Sequence, residues 1–277
     1  MDTLHMAVAF TQFCQKQKIS HKERVHLLEK AGSLLALDPS PYEKELQALP
    51  RHYPSNWKAV SILDQEYPKR LARISRPPAI LFTSGGTLAF LNAPFVIAVI
   101  GSRRPSSYGI EVTKRLAREI ALHKIPIISG GARGIDALAH LAALSYGAPT
   151  AAVLGCGLDI CYPPEHKALF QRIEQQGLLL TEFLPGTAPR RNHFPARNRI
   201  LAGLCDAVLV TEASQSSGTL ITAGYAADYS REVFAVPGSI LTKHSQSCHD
   251  LIRDGACLVE SIDDILNVFS SEHEDCF

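Results

Sequence analysis

The sequence predicts an α/β fold, a doubly wound and mostly parallel sheet with a small N-terminal helical domain. Three observations predict it. Six short runs are apolar throughout: FVIAVIG (95–101), IPIISGG (125–131), TAAVLG (150–155), GLLLTE (177–182), DAVLVTE (206–212) and EVFAVPG (232–238). Strands without polar alternation belong to a parallel sheet covered on both faces. The intervening segments, such as YGIEVTKRLAREIALHK and GIDALAHLAALSYG, repeat apolar residues at the helical period. The strand runs end in small or charged residues, as expected where right-handed crossovers bring ligand loops to one edge.

In chain order, residues 1–60 form the small helical domain. VAFTQFCQ and ERVHLLEKAGSLLAL carry apolar spacing near 3.6, and Ser20 with Glu23 three residues later is a capping box. Prolines then break the pattern through residue 54, marking a connecting region. DQEYPKRLARISRPPAILFTSGG is an irregular approach with one short strand at Ala79–Phe82. Residues 61–270 form the large domain and 271–277 an acidic tail. With 277 residues, 46% hydrophobic and 20% charged, the chain has enough apolar surface for a sizeable core. No apolar run reaches the ~20 residues of a membrane span. The amino terminus lacks the three-part pattern of a secretory leader, so a cytoplasmic location is expected. Seven cysteines without a C-x-x-C pair read as reduced thiols, not as a zinc site.

A net charge of +1 hides a segregated field. Twelve arginines lie between Phe95 and Glu260, and seven of them fall in loops or at helix starts. No Lys or Arg follows Arg253, while seven acidic residues do. A local arginine cluster of this kind holds phosphates as a basic chain would.

The loops carry the candidate chemistry. The first is Gly101-Ser102-Arg103-Arg104, and the second is Ser129-Gly130-Gly131-Ala132-Arg133-Gly134, opening into Asp136. Glycine lets a backbone approach phosphate closely, and the free N–H groups of a helix start bind it. A tight strand-to-helix turn alone accounts for either loop. A dinucleotide site is disfavoured, because the second loop reads G-G-x-x-G and no acid closes the next strand. The third loop offers Tyr162 for stacking on a base, with His166 and Lys167 following. The fourth, Pro189 to Arg199, packs four arginines and Phe194 before an apolar helix, including Arg197 and Asn198. Arginines there oppose the helix dipole unless an anion or an acid such as Glu182 or Glu212 offsets them. The fifth loop opens a helix with Ser217, Gly218 and Thr219, as a phosphate cradle or an ordinary cap. Asp136 reads as a helix-dipole partner and His140, on an apolar helix face, as a core residue. No catalytic triad, metal spacing or cofactor motif stands out, so no cofactor and no enzymatic activity are expected.

In order, DQEYPKRL, PPAILF, GSRRPSSYG, SGGARGIDALAH, LGCGLDICYPPEH, TEFLPG, HFPARNRILAGL, VTEASQSSGTLITA, VFAVPG and LIRDGA resemble the DNA-processing protein A (DprA/Smf) family over residues 64 to 260. The resemblance implies an extended Rossmann-like fold, binding of single-stranded DNA, a homodimer, and delivery of incoming DNA to a RecA-type recombinase in natural transformation. It implies that Gly101, Ser102 and Arg103 form the pocket, with Arg103 the principal phosphate ligand. Ser129, Gly130 and Gly131 would donate from the backbone, Lys167 would add charge, Tyr162 would sit near the bases, and Arg197 and Asn198 would line or brace the pocket. Three departures stand out. His166 replaces the family's asparagine, the late loop Ser245–Asp250 lacks its glycine and asparagine, and the chain ends before a winged-helix domain would fit. The alternative is a nucleoside-monophosphate phosphoribohydrolase-like enzyme, but Ile221 and Thr222 stand where its catalytic glutamate would fall.

Overall fold

The computed structural model describes residues 2–214 and 218–274, with side chains up to residue 269. Its centre is a nine-stranded sheet in the order β1-β2-β6-β5-β4-β3-β7-β8-β9. The six apolar runs form its parallel middle: β3 (Ile97–Ile100), β4 (Ile127–Ser129), β5 (Thr150–Val153), β6 (Leu178–Thr181), β7 (Ala207–Val210) and β8 (Glu232–Ala235). The expected strand near residue 80 is β2 (Ile80–Gly85), which runs antiparallel to β6. Two strands were not expected from the sequence, the antiparallel edge β1 (Trp57–Ser61) and the two-residue β9 (Cys257–Leu258).

Alternate residues of each strand feed two separate cores. Ala98, Ile100, Val208 and Val210 point to one face with α8 (His193–Leu204), α9 (Thr219–Asp228) and α10 (Gln246–Arg253). Ile97, Val99, Ala207 and Leu209 point to the other, against α5 (Ser107–Leu122), α6 (Ile135–Tyr146) and α11 (Ile262–Glu274). On α5 the buried Thr113, Leu116, Ala117 and Ile120 fall at i, i+3, i+4 and i+7, a stripe matched to one flat sheet face. Helix α7 (Lys167–Gln176) covers β5 and β6 through Leu169, Phe170 and Ile173. Helix α8 is buried along its whole carboxyl half, from Arg197 to Leu204. It lies between the sheet and α4 (Lys69–Ala72), where Gly203 lets Leu71 and Ile74 approach.

At the amino terminus, α1 (Thr3–Lys16) and α2 (His21–Ala31) bury Phe10, Cys14 and Leu28 against Ile80 and Phe82 of β2. The Ser20–Glu23 capping box is formed, and α2 ends at Gly32 in the left-handed region. The short α3 (Glu43–Gln47) completes this cluster. Helix α11 runs through Glu274, and 275–277 of the acidic tail lie outside the described residues. Among the described residues no helix is long and apolar enough to cross a membrane.

His140 of α6 is a core residue, as its helix face implies. Thr150 gives its one hydroxyl proton to the Ile127 carbonyl at 2.8 Å, so it accepts from Nδ1 of His140, also at 2.8 Å. Nε2 then carries no proton and has no partner in the core. Burial pushes this imidazole down to about 3 from 6.5. The unfolded chain therefore takes up a proton near pH 6.5 that the folded chain refuses until about pH 3. This contribution to stability is complete above pH 6.5 and is lost as pH falls through that window. His21, pushed down to about 4 by burial and nearby arginines, acts in the same direction. Urea denaturation should show stability falling between pH 6.5 and 4.5, with His140 contributing up to about 1.4 kcal/mol per pH unit. A His140→Asn variant, which keeps a donor to Thr150, should lose that part of the slope.

Candidate nucleic-acid interface

Strand order reverses between β3 and β7, which are neighbours in space but far apart in sequence. In an open parallel sheet that reversal leaves a crevice at the carboxyl ends, because the loops on either side turn to opposite faces. The loops after β3 and β7 meet there. Ser102 N donates to the Glu212 carbonyl at 2.7 Å, and any Cβ on Gly101 would come within 2.7 Å of the same oxygen. The Glu212 side chain is fully buried and accepts from Ser106 N at 2.9 Å and from the Ser106 hydroxyl. Ser106 Oγ in turn caps α5 by accepting from Gly109 N at 3.1 Å. Glu212 is thus spent on the start of α5, not on the arginines of α8.

The GSRR turn also meets the SGGARG turn. Ile135 N donates to the Ser102 carbonyl at 3.1 Å. Gly134, at φ 73°, passes so close to that carbonyl that a Cβ would overlap it at 2.3 Å. The resulting groove encloses about 610 Å³. Its walls include Gly101, Ser102, Arg103 and Arg104 after β3, Tyr162 after β5, Arg197 and Asn198 on α8, and Gly218 and Thr219 at α9. These nine expected residues are brought together.

Within the groove, charge and ring faces are set side by side. Arg103 and Arg104 are exposed. The guanidinium of Arg103 lies 5.5 Å from the centroid of Phe194, whose ring sits 5.5 Å from the half-exposed Tyr162. Phe194 and the exposed Arg191 both line the wall and were not assigned a role from the sequence. An aromatic flanked by four arginines in one loop was the available sign. Gly155 makes room for Phe194, since a Cβ there would meet the ring at 2.9 Å.

Arg197 is different in kind. It is buried, and NH1 donates to the Gly130 carbonyl at 2.7 Å and to the Val153 carbonyl, while Nε donates to Asn198 Oδ1 at 3.1 Å. Asn198 reaches on to the Gly218 carbonyl at 3.4 Å. This arginine braces the ends of β4 and β5 and the loop after β7 from beneath. Burial pulls its guanidinium down to about 10, against the opposing pull of Asp136, so it stays charged at neutral pH. Burial in turn raises the Asp136 carboxyl, although Arg197 and backbone N–H groups act to lower it. Arg199 pairs with Glu182 at 2.5 Å, the acid expected to offset the arginines of α8.

Five expected residues do not face the groove as anticipated. Ser129 is fully buried, and its hydroxyl donates to the Val99 carbonyl. Gly130 N and Ala132 N donate to Asp136 Oδ2 at 3.1 and 3.2 Å. The carboxylate therefore occupies the concavity of that turn, where a phosphate was expected. Gly131 takes φ 67°, and its carbonyl is held by His166 Nδ1 at 3.1 Å, so the histidine anchors the turn. Arg133 is held by Glu165 and Tyr162 and is not among the lining residues. Lys167 is exposed at the start of α7, off the lining. Ser217 lies outside the described residues. Among those residues no group of three or more His, Cys, Asp or Glu is placed to hold a metal ion.

A family model described as DNA recombination-mediator protein A matches residues 58–270. Among curated proteins, the DNA processing protein DprA of Streptococcus pneumoniae is 44% identical over 233 residues, covering 84% of this chain and 79% of that one. That of Bacillus subtilis is 36% identical over 224 residues, with 81% and 75% covered. The chain spans 56% of the Synechocystis protein Smf, at 39% identity over 79% of its own length. Two of the similar solved structures are DNA processing proteins. The Streptococcus pneumoniae DNA processing protein A superposes with a TM-score of 0.75 at 36% identity, covering 96% of this chain and 93% of that one. The other is described as giving the single-stranded DNA binding mode of DNA processing protein A from Helicobacter pylori. It has a TM-score of 0.70 at 30% identity, with 78% and 96% covered.

The two arginine classes separate by stability. Arg197→Met leaves buried carbonyls at Gly130 and Val153 without a donor and should cost about 2–4 kcal/mol in urea denaturation. Arg103→Ala, at an exposed position, should stay within about 0.5 kcal/mol of the parent.

Proposed function

The chain belongs to the DNA recombination-mediator protein A family, and on that premise we propose that its groove binds single-stranded DNA without reading its sequence. The observation that carries this is the row Arg103, Phe194 and Tyr162, flanked by Arg104 and Arg191. Exposed guanidinium groups neutralise strand phosphates, and open ring faces stack on bases of any identity. In a duplex those base faces are already stacked on each other, so the rings have nothing to take. The roles divide accordingly. Arg103, Arg104 and Arg191 hold phosphates, Tyr162 and Phe194 hold bases, and Arg197, Asn198 and the Asp136-filled turn keep the wall rigid.

Membership in a family of recombination mediators supports a finer role. The protein acts as a homodimer in the cytoplasm, protects incoming single strands and helps to load a RecA-type recombinase on them. An enzymatic reading is not favoured. Ile221 and Thr222 face the groove where a hydrolase of this fold would place its glutamate.

A salt-titrated binding assay tests the groove. With three free arginines each contributing ~−0.7, log K against log salt should slope near −2 for a single strand. Arg103→Ala should weaken binding about tenfold for every sequence alike and make the slope shallower by ~0.7. Equal affinity for a duplex of the same length, or no loss in the variant, would contradict the proposal.

A further inference from the structure

Beside the groove, on the same sheet edge, lies a second concavity of about 380 Å³ whose lining includes Ser106, Tyr108, Ser239, Thr242, His244 and the Glu212 carboxylate that caps α5. Strands β3, β7 and β8 are parallel neighbours, so their carboxyl-end loops emerge in a row. Two strand spacings, ~10 Å, separate the Arg103 turn from the loop that follows β8. Ser106 belongs to the connection that carries Arg103 and Arg104, which sets the second concavity next to the groove.

Tyr108 lines it, and the turn between its lining residues Ser239 and Thr242 exposes two apolar side chains, Ile240 and Leu241. Tyr108 is 48% exposed, and its hydroxyl donates to the Pro237 carbonyl at 2.6 Å, which fixes the ring at the mouth. Ile240 and Leu241 are 87% and 91% exposed, the highest values among the large apolar side chains described. They are displayed by a held turn. Leu241 N donates to Ser239 Oγ at 3.1 Å, and His249 Nε2 lies 3.0 Å from the Gly238 carbonyl. The exposed Lys243 follows them. Rigid apolar surface with a cation beside it, next to a phosphate-binding groove, matches the two halves of a nucleotide, a base face and a phosphate.

We infer that Tyr108 and the Ile240–Leu241 turn form a second nucleotide subsite, which takes a base of the strand held in the Arg103 groove. At ~3.4 Å per stacked nucleotide, the two subsites stand ~3 nucleotides apart. This rests on the single-strand reading of the groove.

The test is binding of two ~16-nucleotide strands, oligo-dT and an abasic strand of the same length, at one salt concentration. The Ile240→Ser/Leu241→Ser double variant should lose about five- to tenfold on oligo-dT and nothing on the abasic strand, because only base contacts are removed. Arg103→Ala should lose on both. If Arg103→Ala matches the parent, the groove reading itself fails. If Arg103→Ala loses affinity while the double variant matches the parent on both strands, or loses equally on both, the second subsite is overturned. Conversion of a dimer to a monomer by the double variant, with affinity per protomer unchanged, would show that a second copy covers the turn and would equally overturn it.

Discussion

A charge removed from water must find partners, and the edge of this sheet is organised around two that have done so. Arg197 lies beneath the loops with its donors on the carbonyls of Gly130 and Val153 and on Asn198. Asp136 fills the neighbouring turn from inside through Gly130 N and Ala132 N. Moving either group would strand the backbone atoms it bonds in a medium of low dielectric, where an unpaired polar group is costly. Three loops from different parts of the chain are thereby held in one shape.

That internal satisfaction explains why the outer cations are free to act. Arg199 is neutralised by Glu182 and Arg133 is held by Glu165, while Glu212 is consumed in capping α5. Arg103, Arg104 and Arg191 are left on the wall, and Arg103 lies against a ring instead of a carboxylate. A guanidinium over an aromatic face keeps its donors available, whereas one in an ion pair does not. The groove thus sorts its arginines by depth, with the buried, paired ones below and the exposed ones above.

Much of the fold was legible in the chain because burial on both faces leaves unmistakable apolar runs. All six appear as parallel strands, in the register that makes the two cores. β1 escaped because this edge strand is only partly covered, from the exposed Lys58 to the buried Val60, so no unbroken apolar run marks it, and β9 because two residues carry no period. The site was legible to the level of loops and not of atoms. Glycine-rich turns advertise free N–H groups, but sequence does not reveal that Asp136 reaches back to take them. The resemblance set Arg103 apart from Arg197, as principal phosphate ligand against lining or brace, but only the structure shows Arg197 buried beneath the Gly130 and Val153 carbonyls. Phe194 stayed unassigned because its neighbour in space, Arg103, is distant in sequence.

The proposed groove receives the strand through side-chain cations, not backbone turns. The most direct measurement is an ¹H–¹⁵N spectrum recorded while a short oligo-dT is added. The Arg103 Nε–H resonance should shift on titration, while the Gly130 and Ala132 amides, already bonded to Asp136, should hold their positions. Large shifts at those two amides with Arg103 unmoved would contradict it.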